Sequence, residues 1–251
     1  MIDLHSHILP GLDDGARTIE DSRELAERAL ADGITAIAAT PHVRADYPTT
    51  PDEMEAGVAA LRADFAAHGI GVDVVHGGEI DLEALERLGE NELRRFSLGQ
   101  SGRYVLIETP YRGWPLDMEQ RLFGLSVLGL VPVLAHPERN AEVQEQLALL
   151  GPLVEQGALV QITAASLDGR IGKRSKETAS KLIRDGLAHL VASDAHTPEI
   201  REVGLTRAVA SLGDAELAAY LTEYVPAAVL AGEVLPDRPR KRRRGLLRRS
   251  G

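Results

Sequence analysis

The chain has 251 residues, of which 44% are hydrophobic, and this length and composition allow one large domain with a substantial buried core. It contains no cysteine, which excludes disulfides, zinc–thiolate sites and a thiolate nucleophile, so any metal ligand must be a nitrogen or an oxygen atom. The formal net charge of −10 does not suit nonspecific binding to nucleic acid.

Short apolar runs alternate along the chain with longer amphipathic or alanine-rich stretches. The runs predict seven strands, near Ile2–His5, Ile34–Ala39, Val72–His76, Tyr104–Ile107, Val131–Ala135, Leu159–Ile162 and Leu187–Ala192. The stretches between them predict helices near residues 20–32, 52–68, 81–94, 117–129, 140–156 and 175–185, followed by 201–211 and 214–231. Thr18 is the predicted N-cap of the first helix. Such alternation predicts an α/β fold with a parallel sheet, as a closed or nearly closed barrel or, alternatively, a doubly wound open sheet.

Histidine and acidic residues follow six of the seven predicted strands. They are His5, His7, His42, Glu79, Glu108, His136, Asp194 and His196. One such residue alone is more often a helix cap or part of a turn, but the C-terminal ends of parallel strands meet on one face, where active sites lie. Imidazole and carboxylate groups suit zinc, manganese or iron, and clustered carboxylates repel one another unless cations compensate them. The repetition therefore predicts a metal site.

Several motifs of the chain resemble those of the PHP superfamily (polymerase and histidinol phosphatase). The motifs are Met-Ile-Asp-Leu-His-Ser-His-Ile at residues 1–8, Asp-Asp-Gly at 13–15, Thr-Pro-His at 40–42, Gly-Glu-Ile at 78–80, Leu-Ile-Glu at 106–108, Ala-His-Pro-Glu-Arg at 135–139 and Ser-Asp-Ala-His at 193–196. The chain looks most like the bacterial branch of manganese-dependent protein-tyrosine phosphatases of capsule and exopolysaccharide regulation, from residue 1 to about 230. This resemblance implies a distorted seven-stranded (βα)7 barrel, similar to a TIM barrel, that forms a single domain over residues 1–235. It also implies hydrolysis of phosphotyrosine by a metal-bound hydroxide.

The resemblance further implies up to three divalent metals, with Mn²⁺ expected and Fe, Zn or Co as alternatives that accept the same ligands. It assigns His5, His7, Glu79 and Asp194 to one ion, Glu79, Glu108 and His136 to a second, and Asp14, His42 and His196 to a third. Alignment with the family motif favours Asp14 over Asp13, whereas spacing alone does not separate the two. Arg139 and Arg201 match family arginines that hold the substrate phosphate, and a surface salt bridge is the alternative role for each.

Some residues near these motifs leave two interpretations open. Arg44 either guides an acidic substrate or is solvated, and Tyr111 and Trp114 either stack on a substrate ring or pack their own loop. The segment Gln161–Ser166 departs from the family pattern, in which an asparagine and more polar residues are expected.

Residues 236–251 are predicted to form a disordered basic tail. Residues 238–249 carry eight basic side chains, which leaves 20 of the 28 basic residues against 38 acidic ones in the rest of the chain. Such a tail could bind an anionic membrane face, an acidic segment of another protein or the acidic body of this chain. The alternative is a solvated extension that binds none of them.

The chain begins without a signal peptide and lacks a membrane-spanning apolar run, so a cytoplasmic location is expected, with peripheral contact at the inner membrane face as an option. The expected partner is a phosphotyrosine protein, with a bacterial tyrosine kinase as one candidate; no nucleic acid is expected, and the oligomeric state is left open. Two alternative functions remain: a small-molecule phosphatase of the histidinol-phosphate type, and a non-catalytic PHP-like regulatory scaffold.

Overall fold

The structure is a computed structural model that describes residues 1–197 and 203–239. Within these residues it contains nine strands: β1 (Ile2–Ser6), β2 (Ala36–Ala39), β3 (His42–Val43), β4 (Asp73–His76), β5 (Glu79–Ile80), β6 (Tyr104–Glu108), β7 (Val131–Ala135), β8 (Leu159–Thr163) and β9 (Leu190–Ala192). All pairs of neighbouring strands are parallel. The predicted mixed α/β class with parallel strands is therefore confirmed.

The strands form two sheets, with the orders β1-β2-β4 and β3-β5-β6-β7-β8-β9. The ladder is interrupted at residues 40–41, between β2 and β3, and at residues 77–78, between β4 and β5. Pro41 has no N–H to donate to a neighbouring strand, and a Cβ atom at Gly78 would lie 2.5 Å from the Phe96 ring. A single isolated bridge, Ser6 to Ala195, joins β1 to the segment after β9 among the described residues. Within the described residues a closed barrel is thus not found, and the predicted distorted seven-stranded barrel is not confirmed, because these breaks divide the strands between two sheets.

Twelve α-helices are found in the same described ranges. They are α1 (Ile19–Ala31), α2 (Pro51–His68), α3 (Leu82–Leu85), α4 (Glu90–Arg95), α5 (Met118–Val127), α6 (Ala141–Glu145), α7 (Gly151–Glu155), α8 (Ala164–Asp168), α9 (Lys173–Arg184), α10 (Leu205–Ala210), α11 (Ala215–Ala219) and α12 (Val225–Ala231). The continuous helices predicted over 81–94 and 140–156 are wrong. Gly89 is the N-cap of α4 and Pro152 stands in the first turn of α7, so each segment starts a new helix there. The first residues of the helix predicted at 201–211 lie outside the described part of the chain.

The N-terminus of α1 fixes the loop that follows β1. The Oγ1 atom of Thr18 accepts a hydrogen bond from the Asp21 N–H at 3.2 Å, and Asp21 Oδ2 accepts one from the Thr18 N–H at 3.2 Å. This capping box confirms Thr18 as the N-cap and satisfies two backbone donors at the helix end. Residues 7–17, which include the two predicted ligands His7 and Asp14, are therefore held between a strand and a capped helix.

The C-terminal segment that follows α12 packs against the body. The hydroxyl of Tyr104 donates to the Glu233 carbonyl at 2.5 Å, and the Arg238 guanidinium donates to the carbonyls of Ile183 and Ala188 at 2.7 and 2.5 Å. Arg238, in the described part of the predicted tail, is therefore bonded to the body, and residues 240–251 lie outside the described ranges.

Among the helices that are described, none has both the length and the hydropathy required to cross a bilayer.

Candidate metal centre

The nine predicted metal ligands lie in one cluster at the carboxyl ends of the strands. Their donor atoms form four overlapping groups, each with all atoms within 4.8 Å: His7, Asp14, His42 and His196; His5, Glu79 and His136; His5, His7 and Asp194; and His42, Glu79 and Glu108. Most of these side chains are buried, whereas Asp14 is 40% exposed. Residues that follow six of the predicted strands, together with Asp14, therefore share one cluster.

Glu79 occupies the middle of this cluster. Its Oε1 atom lies 2.9 Å from Nε2 of His136. Its Oε2 atom lies 3.0 Å from Nδ1 of His42 and 3.4 Å from Nε2 of both His5 and His7. One carboxylate thus contacts four imidazoles, a position from which it can bridge neighbouring cations.

The side chains of His5 and His7 point the same way, as alternate residues of a strand do. Their Nε2 atoms lie 3.3 Å apart, and Asp194 Oδ1 lies 3.6 Å from the first and 3.5 Å from the second. These three side chains surround one point, as the ligands of one ion must.

The two neighbouring aspartates of the 13–15 motif point in different directions. Asp14 Oδ1 lies 3.5 Å from His42 Nε2 and 3.4 Å from His196 Nε2, inside the cluster. Asp13 Oδ2 instead accepts from His7 Nδ1 at 2.6 Å and from the His42 backbone N–H at 3.0 Å. The geometry thus favours Asp14 as a ligand and Asp13 as a support for His7.

Three observations test whether the cluster fits cations. Buried Glu79 Oε2, His42 Nδ1 and His136 Nδ1 make no well-aligned hydrogen bond to any described residue. Burial, together with the negative charge of Glu79, raises the pKa of Glu108, which shows that the two carboxylates repel each other. All donors are nitrogen or oxygen, the set that divalent first-row metals accept. The residues present therefore fit divalent metal ions.

The backbone at two of these positions adopts the left-handed region. The φ angles are 40° at His136 and 53° at Asp194, although neither residue is glycine. Such conformations cost free energy and persist where surrounding contacts hold them, often at active sites. At Asp194 those contacts include the hydrogen bond from its own N–H to the His5 carbonyl, at 2.9 Å. One residue earlier, the Ser193 N–H donates to Asp3 Oδ1 at 2.9 Å.

Gln161 is a residue of the site that the sequence alone did not identify. Its Oε1 atom lies 3.0 Å from Nδ1 of His5, and the side chain is fully buried. With His5 donating from Nδ1, its Nε2 is left to face the cluster. The available signal was a polar residue inside the otherwise apolar run of β8, in the segment that departs from the family pattern.

Arg139, predicted to hold phosphate, lies at the edge of the cluster. Its Nη1 atom lies 2.5 Å from Asp194 Oδ2, and its guanidinium lies 4.6 Å from the centre of the Tyr111 ring. The Tyr111 ring stacks on His136 with ring centres 5.8 Å apart and is 46% exposed. Tyr111 thus both packs on the site and faces solvent. The second predicted arginine, Arg201, lies outside the described residues.

Arg44 contacts the cluster at Glu108. Its Nη1 atom lies 3.2 Å from Glu108 Oε1, and its Nε atom lies 2.8 Å from Asp46. The interpretation of Arg44 as a merely solvated cation is therefore wrong, because it bonds a predicted metal ligand 64 residues away.

Parallel strands with a buried cluster of imidazoles and carboxylates at their carboxyl ends are typical of metal-dependent hydrolases on α/β folds. The family described as "Capsular polysaccharide synthesis, CpsB/CapC" matches residues 1–224, and this chain belongs to it.

Curated relatives and solved structures agree with this assignment. Tyrosine-protein phosphatase YwqE of Bacillus subtilis is 41% identical over 204 residues, which cover 80% of this chain and 79% of the relative. Tyrosine-protein phosphatase CpsB of Streptococcus pneumoniae is 32% identical over 214 residues, which cover 80% of this chain and 85% of the relative. A solved structure from a study of YwqE and CpsB, which describes the two proteins as unique metal-dependent tyrosine phosphatases, matches this chain with a TM-score of 0.84 and 36% sequence identity. That match covers 96% of this chain and all of the other.

Proposed function

We propose that this protein is a metal-dependent protein-tyrosine phosphatase that acts in capsule or exopolysaccharide synthesis, with a bacterial tyrosine kinase as a candidate substrate. The observation that carries the proposal is the convergence of the nine predicted ligands around Glu79. Membership of the CpsB/CapC family supports the same activity. A non-catalytic scaffold is disfavoured because the cluster is complete and buried.

We assign the ligands as the sequence predicted them, with Mn²⁺ as the expected metal. His5, His7, Glu79 and Asp194 would hold one ion, Glu79, Glu108 and His136 a second, and Asp14, His42 and His196 a third. Two of the groups of donor atoms within 4.8 Å support the first and third ions: His5, His7 and Asp194 form one, and Asp14, His42 and His196 form another together with His7. For the second ion, Glu108 and His136 each share a group with Glu79. When bound, such ions would neutralise phosphate oxygens and supply a water molecule of lowered pKa.

The chain's own residues would bind and orient the substrate. Arg139 can place two N–H groups on a phosphate by turning from Asp194, a geometry that lysine cannot copy. Arg201 stays a predicted second phosphate ligand. The phenol of phosphotyrosine has a pKa near 10, so its anion leaves readily and no strong general acid is demanded.

We also propose that the two sheets represent one distorted seven-stranded barrel. If β2 with β3, and β4 with β5, are each counted as one interrupted strand, neighbouring strands follow in chain order from β1 to β9. The bridge between Ser6 and Ala195 then lies where such a barrel would close. Amide hydrogen exchange tests this idea, because closure requires slow exchange at the N–H groups of His7 and Asp194, which donate across this seam.

The activity is tested with purified protein. Metal content and stoichiometry would be measured beside turnover of a phosphotyrosine peptide, a phosphoserine peptide and histidinol phosphate. We expect bound divalent metal, preference for phosphotyrosine, loss of turnover with a chelator and recovery with Mn²⁺. Preference for histidinol phosphate would support the small-molecule alternative instead, and a metal-free protein without phosphatase activity would refute the proposal.

Contact of the basic tail with an anionic membrane remains part of the proposal. Each basic residue near such a surface contributes roughly 1 kcal/mol of binding free energy. Removal of residues 240–251 tests it and keeps Arg238 on the body, where it bonds the carbonyls of Ile183 and Ala188. The full chain should bind anionic vesicles more tightly than the shortened one, and equal binding would remove the membrane idea.

A further inference from the structure

A cavity of about 530 Å³ opens beside the metal centre. Glu108 and Arg44 belong both to its lining and to the edge of the cluster, where Glu108 Oε2 lies 3.6 Å from His42 Nδ1. The volume falls within the roughly 300–1,000 Å³ of ordinary ligand sites. A group bound at the metals therefore has a preformed space next to it.

The loop of residues 109–117, which lines one side of this cavity, is fixed by hydrogen bonds from Asn140 and Ala141. Residues 109–117, between β6 and α5, contain no strand or helix. The buried Asn140 amide donates to the carbonyls of Pro110 and Gly113, at 2.8 and 3.3 Å, and the Ala141 N–H donates to the Tyr111 carbonyl at 3.0 Å. An irregular loop fixed by a buried amide and carrying Trp114 at a cavity is suited to binding, because little order must be gained when a ligand arrives.

The cavity is lined by apolar side chains and by arginines. Leu82, Pro110, Trp114 and Pro115 line it together with three arginines, Arg44, Arg112 and Arg121. Arg44 bonds Glu108 and Asp46, and Arg121 bonds Glu86 and Asp117 at 2.6 and 2.9 Å.

Arg112 differs from the other two arginines. It is exposed, and no ion pair joins it to another residue in the part of the chain that is described. Asp81 of the same lining is already the N-cap of α3, which leaves Glu83 as the exposed carboxylate on this rim. A cation at a cavity in an acidic body attracts negative groups that the rest of the surface repels.

We propose that this cavity binds the part of the protein substrate that flanks the phosphotyrosine, with Arg112 selecting an acidic side chain and Trp114 packing against its apolar part. This inference rests on the proposed phosphatase function. The substrate class recognised by the cavity is a phosphotyrosine peptide with acidic flanking residues. The cavity selects such peptides through their binding affinity and does not change the rate of hydrolysis.

The first experiment compares peptides that have the same phosphotyrosine and either Glu or Gln at the flanking positions on each side. An exposed ion pair is worth about 0.2–1 kcal/mol, so we expect KM about 1.4- to fivefold lower for the Glu peptide, with kcat nearly the same. The preference should shrink as salt is raised. In R112Q the difference in KM should vanish, and in E83Q it should grow.

The matched control is R184Q. Arg184 is exposed and bonds Asp185 at the C-terminus of α9, at the end of the fold away from the strand ends that form the cluster. R184Q should retain the wild-type preference. Equal KM values for the two peptides in the wild type, or a preference that survives in R112Q, would overturn the proposal.

The second experiment uses Trp114, the single tryptophan of the chain, as an optical probe. A non-hydrolysable phosphonate peptide with a Glu flank should change its emission, and the phosphonate amino acid alone should change it less. Emission that does not respond to the peptide, or that changes with protein concentration because a second copy covers the cavity, would contradict the proposal. Turnover of p-nitrophenyl phosphate distinguishes failure of this inference from failure of the proposed phosphatase function. Absence of that turnover would count against the phosphatase function, whereas normal turnover with no peptide response would count only against recognition by the cavity.

Discussion

The carboxylate of Asp13 bonds the imidazole of His7, with Oδ2 only 2.6 Å from Nδ1. This contact fixes the ring so that His7 Nε2 points at the cluster, 3.4 Å from Glu79 Oε2. The same Asp13 carboxylate accepts from the backbone N–H groups of His42 and Gly15, at 3.0 and 2.9 Å. One side chain therefore holds three parts of the site in position without facing the expected metals.

We predict different losses for the two neighbouring aspartates. D14N replaces a charged ligand at the cluster with a neutral amide, which binds a divalent cation much more weakly, so the metal stoichiometry should fall even at saturating Mn²⁺. D13N keeps a group of similar shape but weakens the support of His7, so affinity should fall about 10- to 100-fold while full stoichiometry is reached at high metal. Calorimetric titration of the metal-free variants measures both quantities. If D13N lost an ion at saturation and D14N lost none, the two roles would be reversed.

Substitution of Arg139 by lysine should reduce phosphotyrosine turnover. Lysine keeps the charge but loses the planar fork, and hydrogen bonds to charged groups contribute about 1.5–3 kcal/mol. We therefore expect kcat/KM to fall about 10- to 100-fold for R139K. Metal content serves as the control and should stay normal, because Arg139 bonds Asp194 but offers no ligand atom. Wild-type kcat/KM in a normally metallated R139K would show that the phosphate is held by other groups.

Replacement of Gly15 by alanine should destabilise the protein. A Cβ atom at this position would lie 2.1 Å from the His7 carbonyl oxygen and 2.3 Å from the His7 Cβ, so the loop must shift away from the strand end. Overpacking of this kind costs about 1–3 kcal/mol of unfolding free energy. Urea unfolding of the metal-free protein measures it, with G71A as the control, since nothing lies within 4 Å of a Cβ atom at Gly71. Equal midpoints for the two variants would contradict the close approach at Gly15.

His189 should make the fold less stable in mild acid. Burial, with a smaller contribution from Arg238, lowers its pKa to about 4, whereas its ordinary value in an unfolded chain is about 6.5. Between these values the unfolded state binds more protons, so the free energy of unfolding decreases as pH falls from about 6.5 to about 4. The difference between the two pKa values corresponds to about 3 kcal/mol of unfolding free energy.

The variant H189N tests this effect, because asparagine can still accept from the Val160 N–H, which bonds His189 Nδ1 at 3.1 Å, but cannot take up a proton. Urea midpoints of the wild type and H189N would be measured from pH 7 to pH 4. The variant should lose less stability over this range. Parallel pH profiles for H189N and the wild type would disprove the role of His189.

The sequence predicted where the strands lie, because buried parallel strands need continuous apolar runs. Each of the seven predicted strands overlaps an observed one, from Ile2–Ser6 to Leu190–Ala192. It also predicted eight of the nine cluster residues, since ligand-type side chains recur at strand ends and such ends meet on one face, whereas Asp14 was implied by the family resemblance. The interruptions after β2 and β4 were not predicted, because the contact of Gly78 with Phe96 depends on packing.

Local sequence determined the strands, the first helix cap and the residue types of the site, since these depend on hydrophobic periodicity and near neighbours. Only the tertiary structure decided which way each side chain points. Asp13 and Asp14 are adjacent and chemically identical, yet one supports His7 and the other faces His42 and His196. Gln161 reaches His5 across 156 positions of the chain. Such choices depend on which distant groups the fold brings within hydrogen-bonding distance, and no local pattern encodes that distance.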